Sequence, residues 1–157
     1  MDKENLRKAI LKQLESDLRL LTSAAEMARD EAISEESRAE NKWDTHSQEA
    51  AYLAEGQARL ASEIAENLTF YRSFPLPEFD STTPISPGAL VELSGRGGSA
   101  WYFVGPRAGG VEVSFDGREI VVVTPQSPLG SALLGRKAGD SLPGVGRAPA
   151  RRILSVS

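Results

Sequence analysis

The chain has 157 residues, 25% of them charged, with a net charge of −4 and no cysteine. Disulfides, thiolate metal sites and cysteine nucleophiles are thereby excluded. No run of about 18 apolar residues suggests a membrane span. The opening Met1-Asp2-Lys3-Glu4 lacks the basic start and apolar core of a signal peptide, so a cytoplasmic protein is expected. The charge is unevenly spread. Residues 1–72 hold 15 acids and 10 bases, residues 73–157 hold 7 and 8, and residues 26–49 alone hold 8 acids and 3 bases. A patch of that sign repels phosphate backbones, so direct sequence-specific nucleic-acid binding is not expected. It suits a partner that presents basic groups or a metal ion.

Leu6, Ile10, Leu14, Leu18, Leu21, Ala25, Ala28 and Ala32 recur at steps of three and four, and neither Gly nor Pro interrupts residues 1–55. The spacing predicts a long amphipathic helix. Ala50, Leu53, Gln57, Leu60, Ile64, Leu68 and Tyr71 make a second seam, stopped by Phe74-Pro75-Leu76-Pro77. Two narrow seams joined by a short polar stretch predict an antiparallel hairpin over residues 1–73. Its turn is expected within Ile33–Asp44, either at Ser34 or with Ser37 and Glu40 as a capping box for the second helix.

Residues 74–88 carry four prolines and a Ser/Thr cluster, and read as a linker. Beyond it the period becomes two. Ala89–Ser94 and Ala100–Val104 flank Gly95-Arg96-Gly97-Gly98, and Val111–Phe115 and Glu119–Thr124 flank Asp116-Gly117. Both patterns predict β-hairpins. Pro128–Gly135 reads as one short helix, with Pro128 in its first turn and Gly135 at its end. Arg151–Val156 reads as a last strand. Residues 89–157 are thus expected to form a small antiparallel sheet with one helix, and the whole chain to be α+β. Trp101, Phe103, Phe115, Val122, Leu133, Leu134 and Ile153 are the expected core.

The stretch Thr124-Pro125-Gln126-Ser127-Pro128-Leu129-Gly130-Ser131-Ala132-Leu133-Leu134-Gly135, with Gly139-Asp140 after it, resembles the C-terminal signature of the Gre transcript-cleavage factors of bacterial RNA polymerase. That pattern runs Ser-x-x-Ser-Pro, an aliphatic, Gly or Ala, a free position, a small residue, two apolar residues and then an acid. Only Thr124 departs from it, standing where the family has Ser. The resemblance implies an antiparallel coiled coil followed by a domain similar to FKBP-type prolyl isomerases. It also implies an accessory factor rather than an enzyme. In the family the rod enters the polymerase secondary channel, and tip carboxylates help hold the second Mg²⁺ while the polymerase cuts its own backtracked RNA.

The family's tip reads Gly-Asp-Leu-x-Glu-Asn, with a Glu-Gly pair further on. Glu40-Asn41 and Glu55-Gly56 stand at that separation here. Glu40 then takes the place of the tip Glu, while Ser37 stands for the tip Asp and Glu36 for the Gly. The implied catalytic set is Glu40, with Glu36 and Asp44 nearby, Glu40 reaching Mg²⁺ only in complex with polymerase. Ser127, Pro128, Leu129 and Gly130 are the implied polymerase contacts. No cofactor of its own, no membrane partner and a monomeric state are expected. Two other readings stand beside this one: a regulator that occupies the channel without cleavage, and a prolyl isomerase or chaperone.

Overall fold

The computed structural model describes residues 2–38, 45–144 and 146–157; the side chains of residues 32, 35–38, 45–47 and 50 are not described. The elements in chain order are α1 (Lys3–Arg38), α2 (Thr45–Ser73), β1 (Leu90–Gly95), β2 (Gly98–Val104), β3 (Glu112–Phe115), β4 (Arg118–Val123), α3 (Pro128–Leu133), β5 (Ser141–Leu142) and β6 (Arg151–Val156). The expected α+β class is observed. No helix of the described residues is long and apolar enough to cross a membrane.

Asp2 starts α1. Its carboxylate accepts from the Glu4 backbone NH at 2.9 Å, satisfying a donor that a helix start leaves open, and from the Asn5 side-chain amide at 2.8 Å. The helix then runs through Ser34 and Ser37 to Arg38. Neither serine begins the turn: α1 continues through both, and Glu40, the partner of Ser37 in the expected capping box, lies outside the described residues. The first turns of α1 lie beside the last turn of α2: Arg7 Nη1 donates to the Arg72 carbonyl at 3.0 Å. The two helices are therefore antiparallel.

The chain divides into two compact units. Leu14–Phe70 is one; Met1–Gln13 with Tyr71–Ser157 is the other. In the helical unit Leu14, Ala25, Ala28, Ala54 and Leu68 are buried; Leu53 and Leu60, expected in the second seam, are exposed, because the buried stripe of α2 runs through Ala54 and Leu68 and leaves them on its flank. Gln57 sits in the same seam, and its Oε1 is buried with no hydrogen-bond partner among the described residues.

The second unit is built on a six-stranded sheet of order β3-β4-β2-β1-β6-β5. Both predicted hairpins are present, with Arg96-Gly97 and Asp116-Gly117 at their turns. Asp116 (φ 52°) and Gly117 (φ 72°) both take the left-handed region, as the tight hairpin turn with the twist of paired strands requires. One pairing differs from the all-antiparallel expectation. β2 and β4 run parallel, with Phe103 opposite Val122.

Each face of the sheet has a core. Val91, Leu93, Val104, Val123, Ile153 and Val156 cluster with Leu133 of α3 and with Ile85. On the other face Leu90, Phe103 and Val122 form one buried row across β1, β2 and β4. Tyr71 lies on that side, donating its hydroxyl to the Arg107 carbonyl at 2.5 Å. Burial pushes this phenol well above its ordinary range. Of the expected core, Phe103, Val122, Leu133 and Ile153 are buried. Trp101, Phe115 and Leu134 are only half-buried. Trp101 is instead covered by the Arg118 guanidinium, 4.6 Å from its ring centre.

The proline-rich segment is tied down. Ile85 is buried, its backbone NH donates to the Arg136 carbonyl at 2.8 Å, and its carbonyl accepts from Gly135 at 2.9 Å. Lys3 Nζ donates to the carbonyls of Pro77 (2.5 Å) and Gly88 (3.1 Å) and lies 4.6 Å from the Phe79 ring centre. Its burial outweighs the opposing pull of Glu78 and lowers its pKa to about 8.

Candidate functional site

The signature residues fold into one turn and one helix. Ser127 is the N-cap of α3, with extended backbone (φ −73°, ψ 154°). Its hydroxyl accepts from the Gly130 backbone at 3.0 Å and donates to the Thr124 carbonyl at 2.8 Å. Pro128 follows at the first helical turn, where a missing NH costs nothing. Gly130 is buried against the preceding turn. A β-carbon there would stand 1.8 Å from the Thr124 oxygen, so no other residue fits without moving the backbone.

The rest of the signature is equally internal. Gly135 leaves α3 in the left-handed region (φ 79°) and donates its NH to Ile85. Asp140 closes the next turn by accepting from the Lys137 backbone at 2.8 Å. Its own backbone pairs with Ile153: the Ile153 NH donates to the Asp140 carbonyl at 2.8 Å. A sequence pattern read as a recognition motif therefore consists largely of residues that the backbone needs.

What remains facing outward is narrower. Of the four implied polymerase contacts, Ser127 and Gly130 are spent on the fold, Pro128 is exposed, and Leu129 is half-buried against the sheet core. Pro128 and Leu129 line a groove of about 630 Å³ with Gly109, Gly110, Gln126, the β4 residues Val121–Val123 and Thr124. The walls are mostly valine, leucine and proline carbon with glycine backbone. Such a surface accepts an apolar side chain; it offers no nucleophile or acid–base pair.

Of the implied tip residues, Glu40 and Asp44 lie outside the described residues, as does Trp43. Glu36 is in the last turn of α1 and its side chain is not described. His46 is near the start of α2, and its side chain is likewise not described. Among the described residues no group of three or more His, Cys, Asp or Glu is placed to hold a metal ion.

Two basic residues have roles the sequence pattern did not reveal. Arg151 Nε donates to the Ser94 carbonyl at 2.9 Å and its guanidinium lies over the Tyr102 ring, 5.5 Å from the centre. Arg7 donates to the carbonyls of Arg72 (3.0 Å) and Phe74 (2.5 Å) at the exit of α2. Lys3 and Arg7 stand beside Leu6 and Ile10 on a helix face otherwise apolar, and that was the available signal.

No protein-family profile matches the chain, and no curated protein sequence does. Solved structures do. The chain is 20% identical to GreA factor homolog 1 (Gfh1) of Thermus thermophilus over 96% of both chains, with a TM-score of 0.37. It is 23% identical to Gfh1 of Thermus aquaticus, over 95% of this chain and 92% of that one, with a TM-score of 0.38. A further structure of the transcription factor Gfh1 is 21% identical over 95% and 94%, with a TM-score of 0.38.

Proposed function

We propose that this chain is a Gre-like accessory factor that binds bacterial RNA polymerase through the secondary channel and modulates elongation. The observation that carries the reading is the signature Thr124–Asp140, matched at all but its first position, together with an antiparallel helical hairpin ahead of it. The exposed Pro128 and half-buried Leu129 are the signature residues available to a partner. The acidic stretch, residues 26–49, spans the later turns of α1 and the start of α2 in sequence. When lent to the polymerase's own Mg²⁺, carboxylates there supply hard oxygen ligands. The chain has no active site of its own in this reading.

A second reading keeps the docking and drops the chemistry, and one residue favours it. Ser37 stands where the resemblance places a tip aspartate, so a single carboxylate, Glu40, remains in register. The two readings part in one experiment: the protein is added to stalled, backtracked elongation complexes and the RNA is sized. Shortened transcripts identify a cleavage factor. Bound protein with unchanged transcripts identifies a channel-occupying regulator. Failure of the full chain to be retained by core polymerase overturns both.

A further inference from the structure

One side of the helical hairpin carries a face that its own seam does not use. In heptad terms, Leu18 and Ala25 take position a and Leu14, Leu21 and Ala28 position d in α1. In α2, Ala54, Ala61 and Leu68 take a, and Gln57 and Ile64 take d. Leu20 and Met27 then fall at c, Leu53 and Leu60 at g, all on the flank that precedes the seam. They are 69%, 69%, 56% and 50% exposed.

In an antiparallel pair, like flanks of the two seams lie on the same side. These four side chains therefore share one side of the hairpin. They also share one level. Counted from the Arg7–Arg72 contact, Leu20 and Met27 lie 13 and 20 residues along α1, and Leu60 and Leu53 lie 12 and 19 residues back along α2.

Two further features of this face point to an occupant. Gly56 lies among these residues at position c. Glycine weakens a helix interior, yet a β-carbon at Gly56 would meet nothing within 4 Å. No packing inside the chain calls for glycine there, and close approach of another backbone would. The second feature is charge. Over residues 16–31 and 48–63, positions c and g hold four acids, Asp17, Glu31, Glu49 and Glu63, and no Lys or Arg. Arg59, at f, is further round the back.

We propose that this face docks an amphipathic helix from a partner protein, with apolar residues at heptad spacing bordered by Lys and Arg, lying close over Gly56. A second copy of this chain fits badly, since it would set two acidic borders against each other. The proposal requires no polymerase and stands apart from the channel reading.

The test uses the full chain and a labelled synthetic helix with Leu at a and d and Lys elsewhere, followed by fluorescence anisotropy. The comparison peptide has Glu for every Lys. Saturable binding of one peptide per chain is expected, about tenfold or more tighter than for the Glu peptide. Leu60→Gln and Gly56→Ala should each weaken it about fivefold or more, although Gly56→Ala should make α2 more stable. Ala65→Glu, on the opposite flank, should leave it unchanged. Absence of saturable binding overturns the proposal. So does equal loss with Ala65→Glu, or full binding by Gly56→Ala. A concentration-dependent dimer of the chain that Leu60→Gln dissociates would instead assign the face to a second copy.

Discussion

The α-carbon of Gly130 faces the carbonyl oxygen of Thr124 so closely that a methyl group on it would lie 1.8 Å from that oxygen. Gly130→Ala should therefore cost about 3 kcal/mol or more, as overpacking against backbone does. Ser127→Ala loses only the cap and should cost about 1 kcal/mol. Urea denaturation of both variants checks the order. Under the proposed function, a folded Ser127→Ala protein should also be retained by polymerase, whereas Pro128→Asp should not. Equal loss by both would return Ser127 to the contact surface.

Gln57 holds a buried acceptor in the helical seam that no described residue satisfies. Gln57→Leu removes the unmet hydrogen-bonding demand and adds apolar surface, and should stabilise the hairpin by about 1 kcal/mol. Thermal unfolding followed at 222 nm, a helix signal, reads it. An unchanged or lower midpoint would show that the glutamine has a partner when the protein is in water.

Asp80 Oδ1 accepts from the backbone and hydroxyl of both Thr82 and Thr83, at 2.7 to 2.8 Å. These bonds, led by the Thr82 hydroxyl, lower its pKa from 3.8 to about 2. The unfolded chain thus binds the proton first on acidification. The stability the turn contributes is fully present above pH 3.8 and is lost as pH falls toward about 2. Asp80→Asn, which does not titrate, should show a shallower fall of the melting temperature across that window. Parallel curves for the two proteins would rule the turn out as a contributor.

Under the proposed function, the natural chain should stimulate RNA cleavage weakly or not at all. Ser37→Asp should raise it by restoring a second tip carboxylate three residues from Glu40. Glu40→Ala should abolish what activity there is and leave polymerase binding nearly intact. Strong cleavage that survives Glu40→Ala would move the chemistry to Glu36 or Asp44.

A fragment beginning at residue 74 should fold poorly. The compact unit that holds the sheet includes Met1–Gln13 and Tyr71. Without them the row Leu90, Phe103 and Val122 loses the cover on its side, and the Lys3, Arg7 and Tyr71 hydrogen bonds go with it. Loss of near-ultraviolet dichroism in the fragment is the expected result; a native-like spectrum would show that the sheet stands alone.

The elements that local chemistry dictates were legible in the chain. Period marks both helices, with no Gly or Pro in α1 and no Pro in α2, and Asp116-Gly117 marks a hairpin because few residue pairs accept that backbone. The parallel pairing of β2 with β4 was not legible, since it joins strands of two separate hairpins and no turn residue encodes it. The half-exposure of Trp101 and the engagement of Arg151 depend on which side chain reaches which ring, and that is fixed only by the sheet order. Of the candidate site, the signature was visible as a pattern. That Ser127 and Gly130 serve the backbone could be known only from their distances to Thr124.

The strand order also sets a sequence of events. Each hairpin closes over a two-residue turn and can form within microseconds. The β1–β6 pair joins Val91 to Val156 across most of the second half of the chain. Such distant pairings close slowly, because the intervening segment must first be ordered. On the ribosome, both hairpins and both long helices are synthesised before Arg151 is added. Until β6 arrives, β1 presents an open edge that carries Leu90, Val91 and Leu93, and for that interval the nascent sheet is most exposed to pairing with the wrong strand.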